Sequence, residues 1–128
     1  MSDVLRVSAT ESALALIAKL EAMHGPLVFH QSGGCCDGSA PMCYPAGELY
    51  IDHNDVFLGE IGGCEVYISA RQFALWAHTR LVLDVVPGRG AGFSLEAPEG
   101  VRFLTRSHVL SEDEIAALGP PHYGPPEP

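Results

Sequence analysis

Apolar runs in this chain are short, and most are cut by glycine, proline or an Asn/Asp turn before they could complete three turns of helix. Fourteen glycines and ten prolines in 128 residues do the cutting. Runs of four to eight residues rich in branched and aromatic side chains, bounded by such breakers, read as strands. Six segments fit that description: 27–31, 48–51, 56–61, 64–68, 81–86 and 92–96, with a further strand at 101–104. In 64–68 the alternation places Cys64, Val66 and Ile68 on one face, toward a core. The runs 81–86 and 92–96 flank Pro87-Gly88-Arg89-Gly90 and suggest a hairpin with a long loop. Tyr44-Pro45-Ala46-Gly47 and His53-Asn54-Asp55 read as turns.

Helix is expected in three places. Ser8-Ala9-Thr10-Glu11 has the spacing of a capping box with Ser8 as N-cap, and Ala13, Leu16, Ile17 and Leu20 follow as one apolar stripe. Gly25-Pro26 closes it, which predicts a helix over 9–23. A short helix over 69–77 would set Phe73 and Trp76 on one side, and Ser111-Glu112-Asp113-Glu114 repeats the capping spacing before a helix ending at Leu118. The Pro-rich stretch 119–128 should carry no regular structure and reads as a disordered or extended arm. No internal repeat or linker divides the rest. The expected architecture is one α+β domain over 1–118, a leading helix followed by mostly antiparallel β-structure closed as a sandwich or barrel, with a tail at 119–128.

Charge excludes several functions. The formal net charge is −9 with only seven Lys and Arg, which argues against phosphate-rich partners, both nucleic acid and anionic membrane. No run approaches the ~18 apolar residues of a membrane span. The first residues lack the charged-then-apolar order of an export signal, so a cytoplasmic, reducing compartment is expected. Clustered thiols in such a compartment serve as metal ligands or redox groups more often than as structural disulfides.

The cluster is explicit. His30-Gln31-Ser32-Gly33-Gly34-Cys35-Cys36-Asp37-Gly38-Ser39-Ala40-Pro41-Met42-Cys43 holds three of the four cysteines. Its glycines allow a tight loop that turns several donors toward one point. Cys35, Cys36 and Cys43 with His30 make a candidate ligand set for a transition metal (Zn, Cu or Fe), with Asp37 as a further ligand or as the carboxylate partner of a histidine. The separation of Cys35/Cys36 from Cys43 departs from zinc-knuckle spacing. A second reading makes Cys35 or Cys36 a reactive thiolate with His30 as its base. Free cysteines also serve as small buried hydrophobes, the role expected for Cys64. The metal reading leads, and it leans away from an enzyme.

The same motif resembles the signature of a bacterial domain-of-unknown-function family, number 779, and the resemblance runs over roughly 8–114. It implies an accessory role beside aldehyde or alcohol dehydrogenases. A weaker similarity, carried by the helix–strand–Gly/Cys-loop order and by the runs 66–69, 83–84 and 92–98, is to HesB-like A-type iron–sulfur carriers. It implies a HesB-like fold and self-association as a homodimer. Those carriers use a C-terminal Cys-Gly-Cys pair, and no cysteine follows Cys64 here. An iron–sulfur cluster is therefore the less favoured cofactor.

Overall fold

The computed structural model describes residues 6–31, 41–47, 51, 53–88, 100–118 and 121–124. In chain order these form β1 (Val7–Ala9), α1 (Glu11–His24), β2 (Leu27–Gln31), β3 (Met42–Pro45), β4 (Asp55–Ile61) and β5 (Cys64–Ser69). Then come α2 (Ala70–Trp76), β6 (Thr79–Pro87), β7 (Val101–Val109), α3 (Glu112–Leu118) and β8 (His122–Tyr123). The strands make two sheets, β1-β6-β7 and β3-β2-β5-β4-β8. Pairing is antiparallel except for β1 with β6 and β2 with β5. The α+β class and the mostly antiparallel pairing match expectation. Among the described residues, however, both sheets are open, so a closed barrel is not what forms.

The first described element is a strand, where a leading helix was expected. Ser8 lies in β1 opposite Val82, so it cannot cap α1. Thr10 caps it instead: its backbone is extended and its hydroxyl accepts the Ala13 N–H at 3.2 Å. At the other end Gly25, with φ 81°, donates its N–H to the Glu21 carbonyl at 2.8 Å and stops the helix. Ala13, Ile17 and Leu20 form the buried stripe. The Ser111 capping box is present as expected. Ser111 N–H reaches Glu114 Oε1 at 2.9 Å, and Glu114 N–H reaches Ser111 Oγ at 3.2 Å. Ser69 likewise caps α2 through the Gln72 N–H.

Two further differences concern segments assigned to turns or coil. Residues 44–45 belong to the edge strand β3, because Cys43 pairs with Phe29 and Pro45 with Leu27; proline is tolerated at a sheet edge. In the Pro-rich tail, His122 and Tyr123 pair with Phe57 and Val56. Three residues between prolines suffice for a two-residue strand. The expected strands at 48–51 and 92–96 lie wholly or largely outside the described residues. The antiparallel partner that the described residues give β6 is β7, in continuous register from Thr79↔Val109 to Pro87↔Val101.

The core sits where the inner faces of the two sheets meet, with α1 along one margin. Phe29 of β2 meets Phe103 of β7 edge-to-face at 5.0 Å, and both are fully buried. Thr105 donates to Gln31 Oε1 at 2.8 Å, the polar counterpart of that contact between sheets. The β4–β5 hairpin turns on Gly62 and Gly63, both at positive φ (57° and 83°) as the tight primed turns require. A Cβ at Gly62 would meet Ile17 at 3.2 Å, so the turn also lets α1 close on the hairpin.

Asp84 joins three elements. Its carboxylate accepts from Arg106 Nε at 2.9 Å, from the Val85 N–H at 2.8 Å and from the Thr10 hydroxyl at 2.9 Å. Arg106 first, then those two donors, hold its carboxyl below the usual carboxylate range. A depressed folded-state value means this stabilisation is complete above the unfolded pKa, about 3.9, and fades as pH falls through the folded value. Asp84→Asn should cost about 1–2 kcal/mol at pH 7. In urea melts the gap between the two proteins should narrow at pH 3; an equal gap at both pH values would contradict this role for the carboxylate.

Candidate functional site

The site is built on the strand period of β2. Successive side chains alternate across a sheet, so Phe29 and Gln31 enter the core while Val28 and His30 lie on the opposite face. Register extends that face. Met42 of β3 and Tyr67 of β5 both lie opposite His30. Glu65 lies opposite Val28. In β4, Asp55 lies opposite Ser69, Phe57 opposite Tyr67 and Glu60 opposite Glu65. The register shift between Phe57 and Gly59 leaves Leu58 as an extra residue that packs into the core, so Phe57 and Glu60 share this face.

At its centre His30 Nε2 and Asp55 Oδ1 are 2.6 Å apart, with both side chains nearly nine-tenths buried. An ionised carboxylate only accepts, so in the neutral imidazole Nε2 is the protonated nitrogen and Nδ1 carries the lone pair. Among the described residues the His30 side chain makes no other hydrogen bond. The carboxylate therefore fixes the tautomer and ring orientation, and leaves one basic nitrogen for another partner. Beside it, Tyr67 packs against the Phe57 ring at 5.5 Å and donates to Glu65 Oε1 at 3.0 Å. Burial, then Glu65, Asp55 and Glu60, hold the Tyr67 hydroxyl well above the ordinary tyrosine range, so it stays a donor.

The face is anionic. Asp55, Glu60 and Glu65 all lie on it, and no described strand of this sheet contains a lysine or arginine. The cations among the described residues lie elsewhere: Arg6 ahead of β1, Lys19 on α1, Arg71 on α2, Arg80 on β6, and Arg102 and Arg106 on β7. Such a surface attracts a metal cation and opposes an isolated thiolate.

Not all of the expected ligands come together. Cys35, Cys36 and Asp37 lie outside the described residues. Cys43 pairs with Phe29 and is fully buried in the core, on the face opposite His30. The structure thus separates Cys43 from His30. Among the described residues the carboxylate partner of the histidine is Asp55, which the sequence pattern assigned to a turn; Asp37, offered as a ligand or as such a partner, is not among them. Among the described residues no group of three or more His, Cys, Asp and Glu is placed to hold a metal. Among the described residues a gap of about 10 Å³ lies between the sheets, lined by Val7, Phe29, Leu81 and Leu83 with the Gln31–Thr105 pair. It has room for about one water and belongs to the core.

Cys64 occupies the core face of β5 as expected, 1% exposed. Burial, then Glu21 and Glu60, push its thiol up to about 11, partly offset by a hydrogen bond with the Leu27 backbone.

The chain belongs to the DUF779 family, described only as a domain of unknown function, whose model matches residues 16–109. No curated protein matches it. Among the described residues no helix is long and apolar enough to cross a membrane.

The Cys64 environment generates a direct expectation. Iodoacetamide at pH 7.5 followed by mass spectrometry should leave Cys64 unmodified in the native protein and modify it once urea unfolds the chain. Native-state labelling of Cys64 as fast as in urea would contradict its burial.

Proposed function

We propose that this protein is a small metal-binding accessory protein whose site joins His30 to the thiols of the loop that follows it. The observation that carries the reading is the Asp55–His30 pair on a face lined by Asp55, Glu60 and Glu65, in a sheet whose described strands contain no Lys or Arg. A histidine that binds a metal usually gives its other ring N–H to a carboxylate, which orients the ring and strengthens the bare nitrogen as a donor. His30 has that arrangement, with Nδ1 as the ligating atom.

Cys35 and Cys36 are the thiolate donors of this proposal. The chain ties them to the site, because the segment 32–40 leaves from Gln31 and returns at Pro41, on either side of the His30↔Met42 pair. Cys35 is four residues beyond Gln31, a reach of at most about 14 Å. With Cys43 serving the core, three donors remain. Three protein ligands and an open position are the pattern of sites that exchange or present a metal, whereas structural zinc sites are closed by four. The soft donors suit Zn, Cu or Fe. When bound, the metal would supply a Lewis-acidic or transferable cation; the protein holds its ligands and supplies the negative field around them.

The same reading takes the fold as HesB-like, the compartment as cytoplasmic and the client as an aldehyde or alcohol dehydrogenase, with self-association as a homodimer. It draws on the helix–strand–loop order and the family resemblance. The thiol-enzyme alternative would also use His30, as a base for Cys35 or Cys36. Its thiolate would have to form beside three carboxylates, with no cationic side chain on the described strands of the five-stranded sheet to favour it.

Elemental analysis of anaerobically purified protein, with zinc titration of the metal-free form, tests the proposal. Near one equivalent of metal is expected, lost in His30→Ala and in the Cys35→Ser, Cys36→Ser pair and retained in Cys43→Ala. Absence of metal and of uptake would overturn it, as would loss of uptake in a folded Cys43→Ala protein alone. One loop thiol alkylated far faster than the others in metal-free protein would favour the thiol enzyme.

A further inference from the structure

The Asp55 that orients His30 is itself held from an unexpected direction. It is the first residue of β4, directly after the turn at His53 and Asn54, where a strand would ordinarily fray. On one side β5 pairs with it through Ser69, and the Asn54 carbonyl accepts the Ala70 N–H at 2.7 Å. On the other side the neighbour is the Pro-rich tail. Tyr123 and His122 pair with Val56 and Phe57, and the Gly124 N–H donates to the Asp55 carbonyl at 2.7 Å. Gly124 is buried with φ 80°, a conformation open to glycine and closed to proline.

The geometry points to the segment His122–Gly124 as a clasp that positions Asp55, and through it the imidazole of His30. This rests on the metal-binding reading of the same site. The Asp55 backbone is fixed by β5 and β8 together, while its side chain reaches across β5 to β2. Release of β8 leaves the start of β4 as a sheet edge on that side, and the Asp55 backbone loses the Gly124 hydrogen bond that helps to position its carboxylate. The clasp is small: two paired residues and one further hydrogen bond, between runs of proline that resist any longer pairing. A clasp of that size opens at low cost, and a strand offered by a partner can take its place on β4. Docking of the tail would thereby be coupled to the quality of the metal site. No described residue beyond Phe103 enters the main core cluster, so opening the clasp leaves that core in place.

The test is a double-mutant cycle on the full chain with Gly124→Pro, which removes both the donor and the positive φ, and Asp55→Asn. Zinc dissociation constants and the water-exchange rate of the His30 Nε2 proton in 15N-histidine-labelled protein are measured, with circular dichroism as the fold control. Asp55→Asn should weaken zinc by roughly 10–100-fold, the usual effect of losing a ligand's outer partner. Gly124→Pro should weaken it by about tenfold and speed Nε2–H exchange, but add little once Asp55→Asn is present. Equal weakening by Gly124→Pro in both backgrounds would overturn the clasp, as would unchanged affinity in a folded Gly124→Pro protein. If the parent chain itself takes up no zinc, the metal-binding reading fails and the proton-exchange rate alone decides. Faster exchange in Gly124→Pro then upholds the clasp, and an unchanged rate overturns it.

Discussion

Everything at this site follows from the position of β2 between β3 and β5 and from its two-residue period. The strand is only five residues long, yet its alternation decides which chemistry can meet. Phe29 must face inward because Phe103 of the other sheet closes on its ring, and Gln31 must follow because Thr105 satisfies its side-chain oxygen. His30 is then forced to the other face. Cys43, opposite Phe29, is forced to the core for the same reason. A one-residue slip of β3 would put Cys43 in place of Met42 beside His30, but it would also remove Cys43 from the core.

The second determinant is electrostatic. The cations of the described residues lie in or before the three-stranded sheet and on α1 and α2, where Arg106 and Arg80 meet Asp84 and Glu114. The five-stranded sheet carries carboxylates without counter-cations on its strands. The acidic total charge is thus unevenly spread, and His30 sits in the anionic part. Tyr67 senses the same field, held protonated by burial and by the three carboxylates around it.

Much of the frame was legible in the sequence because local rules set it. The capping box at Ser111, the Gly25 stop, the Gly62-Gly63 turn and the inward Cys64 are short-range features, and each appears in the structure. Ser8 misled because its capping spacing was real but a long-range partner, β6, claimed it for a strand; Thr10 took its place. The β3 strand and the tail strand were missed because proline content reads as coil, while edge positions tolerate it. The decisive pair was not legible at all. His30 and Asp55 are 25 residues apart, and only the β2–β5–β4 order brings them within 2.6 Å. A histidine at the end of a strand marked one half; nothing in the local pattern marked the other.

The central claim is that a carboxylate-held imidazole and loop thiolates share one metal, and that the core thiol does not. X-ray absorption at the zinc edge of the reconstituted protein reads this directly. The account predicts one histidine nitrogen at about 2.0–2.1 Å with two sulfurs at about 2.3 Å, and the same shell in Cys43→Ala. A shell with three sulfurs and no histidine nitrogen would contradict it.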